Sequence, residues 1–461
     1  MIDLKNIDYQ KYVDELIDKI GDLVRVRSVY DSDSATKEKP YGEGIDEALA
    51  LITDWASEDN FEVTNYNGHA ILIERKDANK SAERIDFVSH IDVVGEGSNW
   101  SYLAFDAVIE DGRMYGRGTN DMKRAVVLTY FVLRIIQDYS IPMKNRLCLV
   151  YGTDEETNMQ DLQHYLEVEG APEFAVTPDA TFPLGIGEKG ATTWLMTGEM
   201  PKDSAIINIK GGEGANNVPS ICKVTVPMID YSKIQQYRRQ TGWNIEMAPM
   251  NDGIQITVKG KSAHASRPDL GENAIIRALT LVRDVYDDAF SGNLVELFGY
   301  SDGRGLDISC SSPEMGPLTI NLGTIKIINQ QIVMELDSRF PQVTTSDSIT
   351  EKIKERLNDH FEITRPFDTP AILYNLDGTA CKTLMKQFKE HYPNHSQEPE
   401  LMGGVTYAKI VPNCVAFGMD FQGQPMLAHQ ADEYIELDNL KELLQFYTEL
   451  AVELGNLESL K

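Results

Sequence analysis

At 461 residues the chain is too long for one hydrophobic core, so two or more structural units are expected. A composition of 42% hydrophobic and 25% charged residues excludes disordered, collagenous and fibrous classes. With 43 basic against 72 acidic residues the net charge is −29, a field that repels phosphate backbones and anionic bilayers, so neither nucleic acid nor membrane is an expected partner. In chain order, Val13, Leu16, Ile17, Ile20, Leu23 and Val24 recur at helical spacing and predict an amphipathic helix. This start is acidic and interrupted by charge, unlike a secretory leader, and no later stretch reaches the ~18 uncharged apolar residues of a membrane span. A cytoplasmic protein is the expectation. The five cysteines are scattered and form no C-x-x-C pair, which signals neither a disulfide framework nor a thiolate zinc site.

Three apolar runs, Arg84–Ser89, Arg146–Gly152 and Glu173–Thr177, read as strands, with a helix-length apolar stretch between the first two at Met122–Tyr139. Strand–helix–strand order predicts an α/β domain with a mainly parallel sheet. Each strand runs into hard ligands: His90-Ile91-Asp92, then Thr153-Asp154-Glu155-Glu156, then Pro178-Asp179. Sites in such sheets lie beyond the carboxyl ends of the strands. A fourth apolar run, Cys414–Gly418, leads through a Gly/Pro loop to His429, and a helical pattern follows from Asp438 to Leu454. The middle of the chain, 187–381, has a different texture. Strand-like runs at Ile254–Gly260 and Gln331–Phe340 alternate with a helix over Asn273–Phe290, and no ligand cluster occurs. It reads as an inserted domain.

Each feature alone has an ordinary explanation: a polar turn at His90-Ile91-Asp92, a solvated helix start at Asp154–Glu156, a turn at Asp179, a surface loop at His429. Their repetition after four strands carries the weight. Imidazole and carboxylate without thiolate suit Zn²⁺, Mn²⁺ or Co²⁺. Amide hydrolysis needs an activated water, a polarised carbonyl and a proton shuttle, which two metals and a free carboxylate can supply.

The ordered set His90-Ile-Asp92-Val-Val, Gly116-Arg-Gly118-Thr-Asn-Asp121-Met-Lys123, Glu155-Glu156, Asp179 and His429 resembles the dinuclear metallopeptidase family of carboxypeptidase G, aminoacylase and carnosinase. Within it the chain is most similar to bacterial cytoplasmic dipeptidases of the Xaa-His type. Further matches are Thr177-Pro-Asp179-Ala, Gly187-Glu-Lys-Gly190, Asn216-Asn-Val-Pro219, Gly260-Lys-Ser-Ala-His264, Arg339-Phe-Pro341 and Gly403-Gly404-Val-Thr406-Tyr407. The resemblance implies a catalytic domain split into 1–186 and 382–461 around an α+β lid, 187–381, built of two ferredoxin-like halves. It implies two divalent ions, zinc foremost, with Asp121 bridging, His90 and Asp179 completing one site, and Glu156 and His429 the other. Glu155 is then the general base acting on a metal-bridging water, Asp92 orients His90, and His264 stabilises the oxyanion. Asn216, Arg339, Gly403, Gly404 and Thr406 bind substrate, the first two through its terminal carboxylate. A cis peptide is implied between Asp121 and Met122. The expected activity is hydrolysis of unblocked dipeptides by a monomer. An N-acyl-amino-acid deacylase on the same scaffold is the alternative, and a non-catalytic metal-binding relative a third.

Other motifs fail. His391 and His395 are separated by Pro393 and lack the glutamate of a zinc helix, no G-x-S-x-G elbow occurs, and Gly116-Arg-Gly118 lacks the third glycine of a dinucleotide fingerprint. The chain departs from the family pattern at Ser89, Arg124, Val405 and Lys409. The last three are expected to alter the pocket wall.

Overall fold

The computed structural model describes residues 3–357, 360–402, 404–425 and 427–461. The chain divides into two compact units, Met1–Gly187 with Tyr374–Lys461, and Glu188–Leu373. The second boundary lies ahead of the 381/382 read from sequence. Helix Thr379–His391 sends Ala380, Cys381, Leu384 and Phe388 into the core of the first unit, so the chain has already returned there.

The first unit is built on helices α1 (Gln10–Arg25), α2 (Glu43–Glu58), α3 (Arg124–Asp138) and α4 (Asp161–Glu169), and on strands β1 (Glu62–Asn65), β2 (Ala70–Glu74), β3 (Arg84–His90), β4 (Arg146–Gly152) and β5 (Phe174–Thr177). In the second unit the strands are β6 (Gly190–Glu199), β7 (Asn208–Gly211), β8 (Ile221–Val226), β9 (Ile245–Met250), β10 (Gly253–Lys259), β11 (Thr319–Ile328), β12 (Gln331–Phe340) and β13 (Phe361–Thr369), and its helices α5 (Tyr231–Thr241), α6 (Ala274–Tyr286), α7 (Ala289–Phe298) and α8 (Ser346–Leu357). The chain then completes the first unit with α9 (Thr379–His391), β14 (Cys414–Ala416) and α10 (Leu440–Gly455).

The first unit's sheet runs β1-β2-β4-β3-β5-β14. β4, β3, β5 and β14 are parallel, and the β1–β2 hairpin joins antiparallel at one edge. Every residue of β3 is buried, the pattern of a parallel strand covered on both faces. α3 is apolar almost all round and correspondingly buried from Arg124 to Ile136, Arg134 excepted. α1, α9 and α10 complete the same core through Leu16, Ile20, Leu23, Phe388, Leu443 and Tyr447. His90 pairs in register with Gly152, so the chain leaves β3 and β4 at the same level of the sheet.

The second unit is built on a continuous eight-stranded antiparallel sheet, β9-β10-β8-β7-β11-β12-β6-β13. Its core joins Val224, Ile256 and Met334 to Ile234, Ile275, Leu279, Leu294 and Ile353 of the helices. The single helix expected over Asn273–Phe290 is two. Asp287 is left-handed at φ 57°, and the Asp288 side chain accepts from Ser291 N to start α7. No Gly or Pro announces this break. None of the five cysteines forms a disulfide. Among the described residues no helix is long and apolar enough to cross a membrane.

Candidate metal centre and active site

The ends of β3, β4 and β5, the segment Thr119–Lys123 ahead of α3 and the loop after β14 bring His90, Asp121, Glu155, Glu156, Asp179 and His429 together. Asp121 lies between two histidines. Its Oδ1 is 3.2 Å from His90 Nε2 and its Oδ2 3.2 Å from His429 Nε2. On the first side Asp179 Oδ2 stands 3.8 Å from His90 Nε2. On the second, Glu156 Oε2 is 2.9 Å from His429 Nε2. Two groups whose donor atoms lie within 4.8 Å of one another follow: His90, Asp121 and Glu156, and His90, Glu155 and Asp179. Glu155 thus comes as close as a ligand would.

The electrostatics are those of a cation site. Burial, reinforced by Asp179, Glu156 and Asp121, pushes the Glu155 carboxyl well above its ordinary range, and burial followed by Asp121 raises Glu156. Against the effect of burial, His429 and His90 hold Asp121 low, and Asp121 and Asp92 hold His90 high. Asp121 and Glu156 push His429 up to about 10. His90 Nε2 and Glu155 Oε1 are buried without a hydrogen-bond partner. One buried and three partly buried carboxylates facing two imidazoles fit a pair of divalent ions, which would satisfy both the unpartnered atoms and the excess negative charge.

Second contacts hold these side chains. His90 Nδ1 lies 2.9 Å from the backbone carbonyl of Asp92, while the Asp92 carboxylate is 3.5 Å from that nitrogen and accepts from Glu156 N at 2.9 Å. Asp92 therefore serves both the first histidine and the glutamate turn. The Asp121–Met122 peptide is cis. Arg124 is buried and donates to Asp420 at 2.9 Å, and Asp420 also accepts from Asn120 Nδ2, so that substitution is absorbed by an ion pair.

Sequence reasoning assigned no role to Glu433. Fully buried, it accepts from the backbone N–H of Gly118 (3.1 Å), Asn120 (2.8 Å) and Asp121 (3.0 Å) and from Arg117 Nη1 (2.7 Å). It therefore pins the segment that carries Asp121 to the loop that carries His429. Lys123, also buried, donates to Leu23 O and Val26 O and so closes the end of α1.

The remaining expected site residues are placed as follows. Thr406 is buried and caps the short helix Tyr407–Lys409 by accepting from Ala408 N, Gly404 is exposed, and Gly403 lies outside the described residues. His264, Asn216 and Arg339 belong to the second unit. There Asn217 and His264 form a bridge, and Ala265 N donates to Asn216 O. The Asn321 side chain donates to Asn217 O, while its strand partner Asp337 accepts from Arg339 Nη2 at 3.2 Å. The Asn216 loop and Arg339 are thus tied to one strand pair.

The description "Peptidase family M20/M25/M40" matches residues 87–453. YtjP of Bacillus subtilis (strain 168), provisionally named a dipeptidase, is 30% identical over 457 residues, covering 96% of this chain and 97% of its own. The dipeptidase Dug1p from Saccharomyces cerevisiae shares the fold with TM-score 0.60 at 11% identity, covering 98% of each chain. An M20-family metallo-carboxypeptidase, Sso-CP2 from Sulfolobus solfataricus, does so with TM-score 0.60 at 16% identity over 96% of this chain and 99% of that one.

Proposed function

The chain belongs to peptidase family M20/M25/M40, and we propose that it is a metal-dependent dipeptidase of the cytoplasm, acting as a single chain on unblocked dipeptides. The observation that supports this most directly is the Asp121 carboxylate standing between His90 and His429, with Glu155 unbonded beside it. In this reading His90, Asp179 and Asp121 hold one ion, and Glu156, His429 and Asp121 the other, with zinc, manganese or cobalt suiting the donors. When bound, the two ions polarise the scissile carbonyl and acidify the attacking water. Glu155 Oε1 takes the proton from that water and returns it to the leaving amine nitrogen. Asp92 keeps His90 and the Glu155–Glu156 turn oriented. From the second unit, His264 donates to the developing oxyanion, and Asn216 and Arg339 bind the terminal carboxylate. Gly404 and Thr406 are the further substrate-binding residues of this reading.

The test is a substrate panel. Chelation should abolish hydrolysis of Ala-His-type dipeptides, and Zn²⁺, Mn²⁺ or Co²⁺ should restore it. C-terminal amides should be poor substrates. N-acetyl amino acids cleaved faster than free dipeptides would replace this reading with that of a deacylase.

A further inference from the structure

Asp161 is a fully buried carboxylate with no part in the metal constellation. Burying a charge is costly unless donors meet it, and here three do. Asp161 Oδ2 accepts from Thr153 N at 2.6 Å, from Asp154 N at 3.1 Å and from the Tyr407 hydroxyl. Helix capping does not account for this. Asp161 lies inside the first turn of α4, and these bonds run backward to the end of β4 instead of forward along the helix. Asp154 in turn accepts from Gln160 N, so the segment between the strand and the helix is closed from both ends.

The far partner adds a second link. The Tyr407 ring meets His90 edge-on, with centroids 6.3 Å apart and planes at 83°. One residue therefore touches the ring of a candidate ligand and, through its hydroxyl and Asp161, the backbone just ahead of Glu155 and Glu156. The strand end is shaped for the pair. Gly152 has an ordinary φ, but a Cβ there would overlap both the Tyr407 hydroxyl and Asp161 Oδ2. The glycine is needed for space, not for backbone freedom.

We propose that Asp161 and Tyr407 form a positioning pair that fixes the turn carrying Glu155 and Glu156 against the His90 ring, so that the base is held at its working distance. The proposal rests on the dipeptidase reading for its kinetic consequence but not for its structural one. Neither residue touches the reacting atoms. Positioning groups of this kind act on turnover because small misplacements of a base are amplified in rate.

The experiment compares the parent chain with Tyr407→Phe, Asp161→Asn and the double variant at saturating metal. Tyr407→Phe keeps the ring against His90 and removes only the hydroxyl. Expected is a fall in kcat of tenfold or more with KM within twofold and metal content unchanged, the double variant losing no more than the worse single. Amide hydrogen exchange in a peptide covering Thr153–Glu156 should accelerate in Tyr407→Phe while β4 itself stays protected. If Tyr407→Phe does not fold, Asp161→Asn, which keeps an acceptor for the two amides, carries the same test. Unchanged exchange, unchanged kcat in an active parent, or losses that multiply independently overturn the proposal. A parent that cleaves no dipeptide overturns the dipeptidase reading instead, and the exchange result then decides the pair.

Discussion

Glu155 and Glu156 are neighbours in sequence with separate surroundings. Glu156 faces His429, whereas Glu155 is buried with an unbonded oxygen. Glu155→Gln should lower kcat by about 10²–10⁴-fold, the usual worth of a general base, with metal content by elemental analysis near that of the parent. Glu156→Gln should lower the metal content itself, and the opposite pattern would reverse the assignment. A pH effect follows from His429. In the metal-stripped protein its pKa of about 10 lies above the ordinary imidazole value of ~6.5. A raised folded pKa contributes stability fully below about 6.5, and that contribution is lost as pH climbs through about 10. The melting temperature of the stripped protein should therefore fall between pH 7 and 10, and by more than that of the metal-loaded protein. A rise over that interval would sink this account.

Among the elements, the segment Thr119–Lys123 is held by a partner distant in sequence. Glu433 takes three of its neighbourhood's backbone N–H groups, including that of Asp121. Glu433→Gln should weaken metal binding by about 10–100-fold, as loss of a carboxylate behind a ligand typically does. Competition against a chromogenic chelator measures this, and an unchanged affinity would exclude the role. Why sequence reading found His90 and missed Glu433 is a matter of period and place. β3, β4 and β5 are short apolar runs, and whatever follows such a run stands at the sheet edge, so His90, Glu155 and Asp179 could be placed from pattern alone. Glu433 sits in an irregular loop and acts on backbone amides more than 300 residues away in sequence, where no periodicity points. Asp161, in the first turn of α4, reads as an ordinary acidic helix start, and Tyr407 stood in a quoted motif without a reason attached. The break between α6 and α7 was missed because Asp287 and Asp288 are unremarkable inside a helical pattern until one turns left-handed and the other caps.

At the scale of the whole molecule, the proposed labour is divided between two units with separate cores. Arg339 is the second unit's proposed anchor for the substrate carboxylate. Its guanidinium is paired with Asp337, which is buried, so removing the arginine outright would also unpair a buried carboxylate. Arg339→Lys is the cleaner probe, since it keeps the charge and loses the planar fork. One charge-assisted hydrogen bond is worth about 1.5–3 kcal/mol, so kcat/KM for free dipeptides should fall at least tenfold while metal content holds. Equal losses for dipeptides and their C-terminal amides would show that the residue does not read the carboxylate.

The insertion also sets an order of assembly. Tyr374 N donates to Ile186 O at 3.1 Å, so the two crossings into and out of the second unit are fastened side by side within the first. During synthesis the complete second unit leaves the ribosome before β14, His429, Glu433 and α10 exist. The inserted unit can close its own sheet at once, whereas the first must wait, its parallel sheet lacking an edge strand and its constellation lacking one histidine. Metal capture at the full site is therefore a late event, gated by the last quarter of translation. The chain truncated after Leu373 and released should resist proteolysis across Glu188–Leu373 and remain susceptible on the N-terminal side of Gly187.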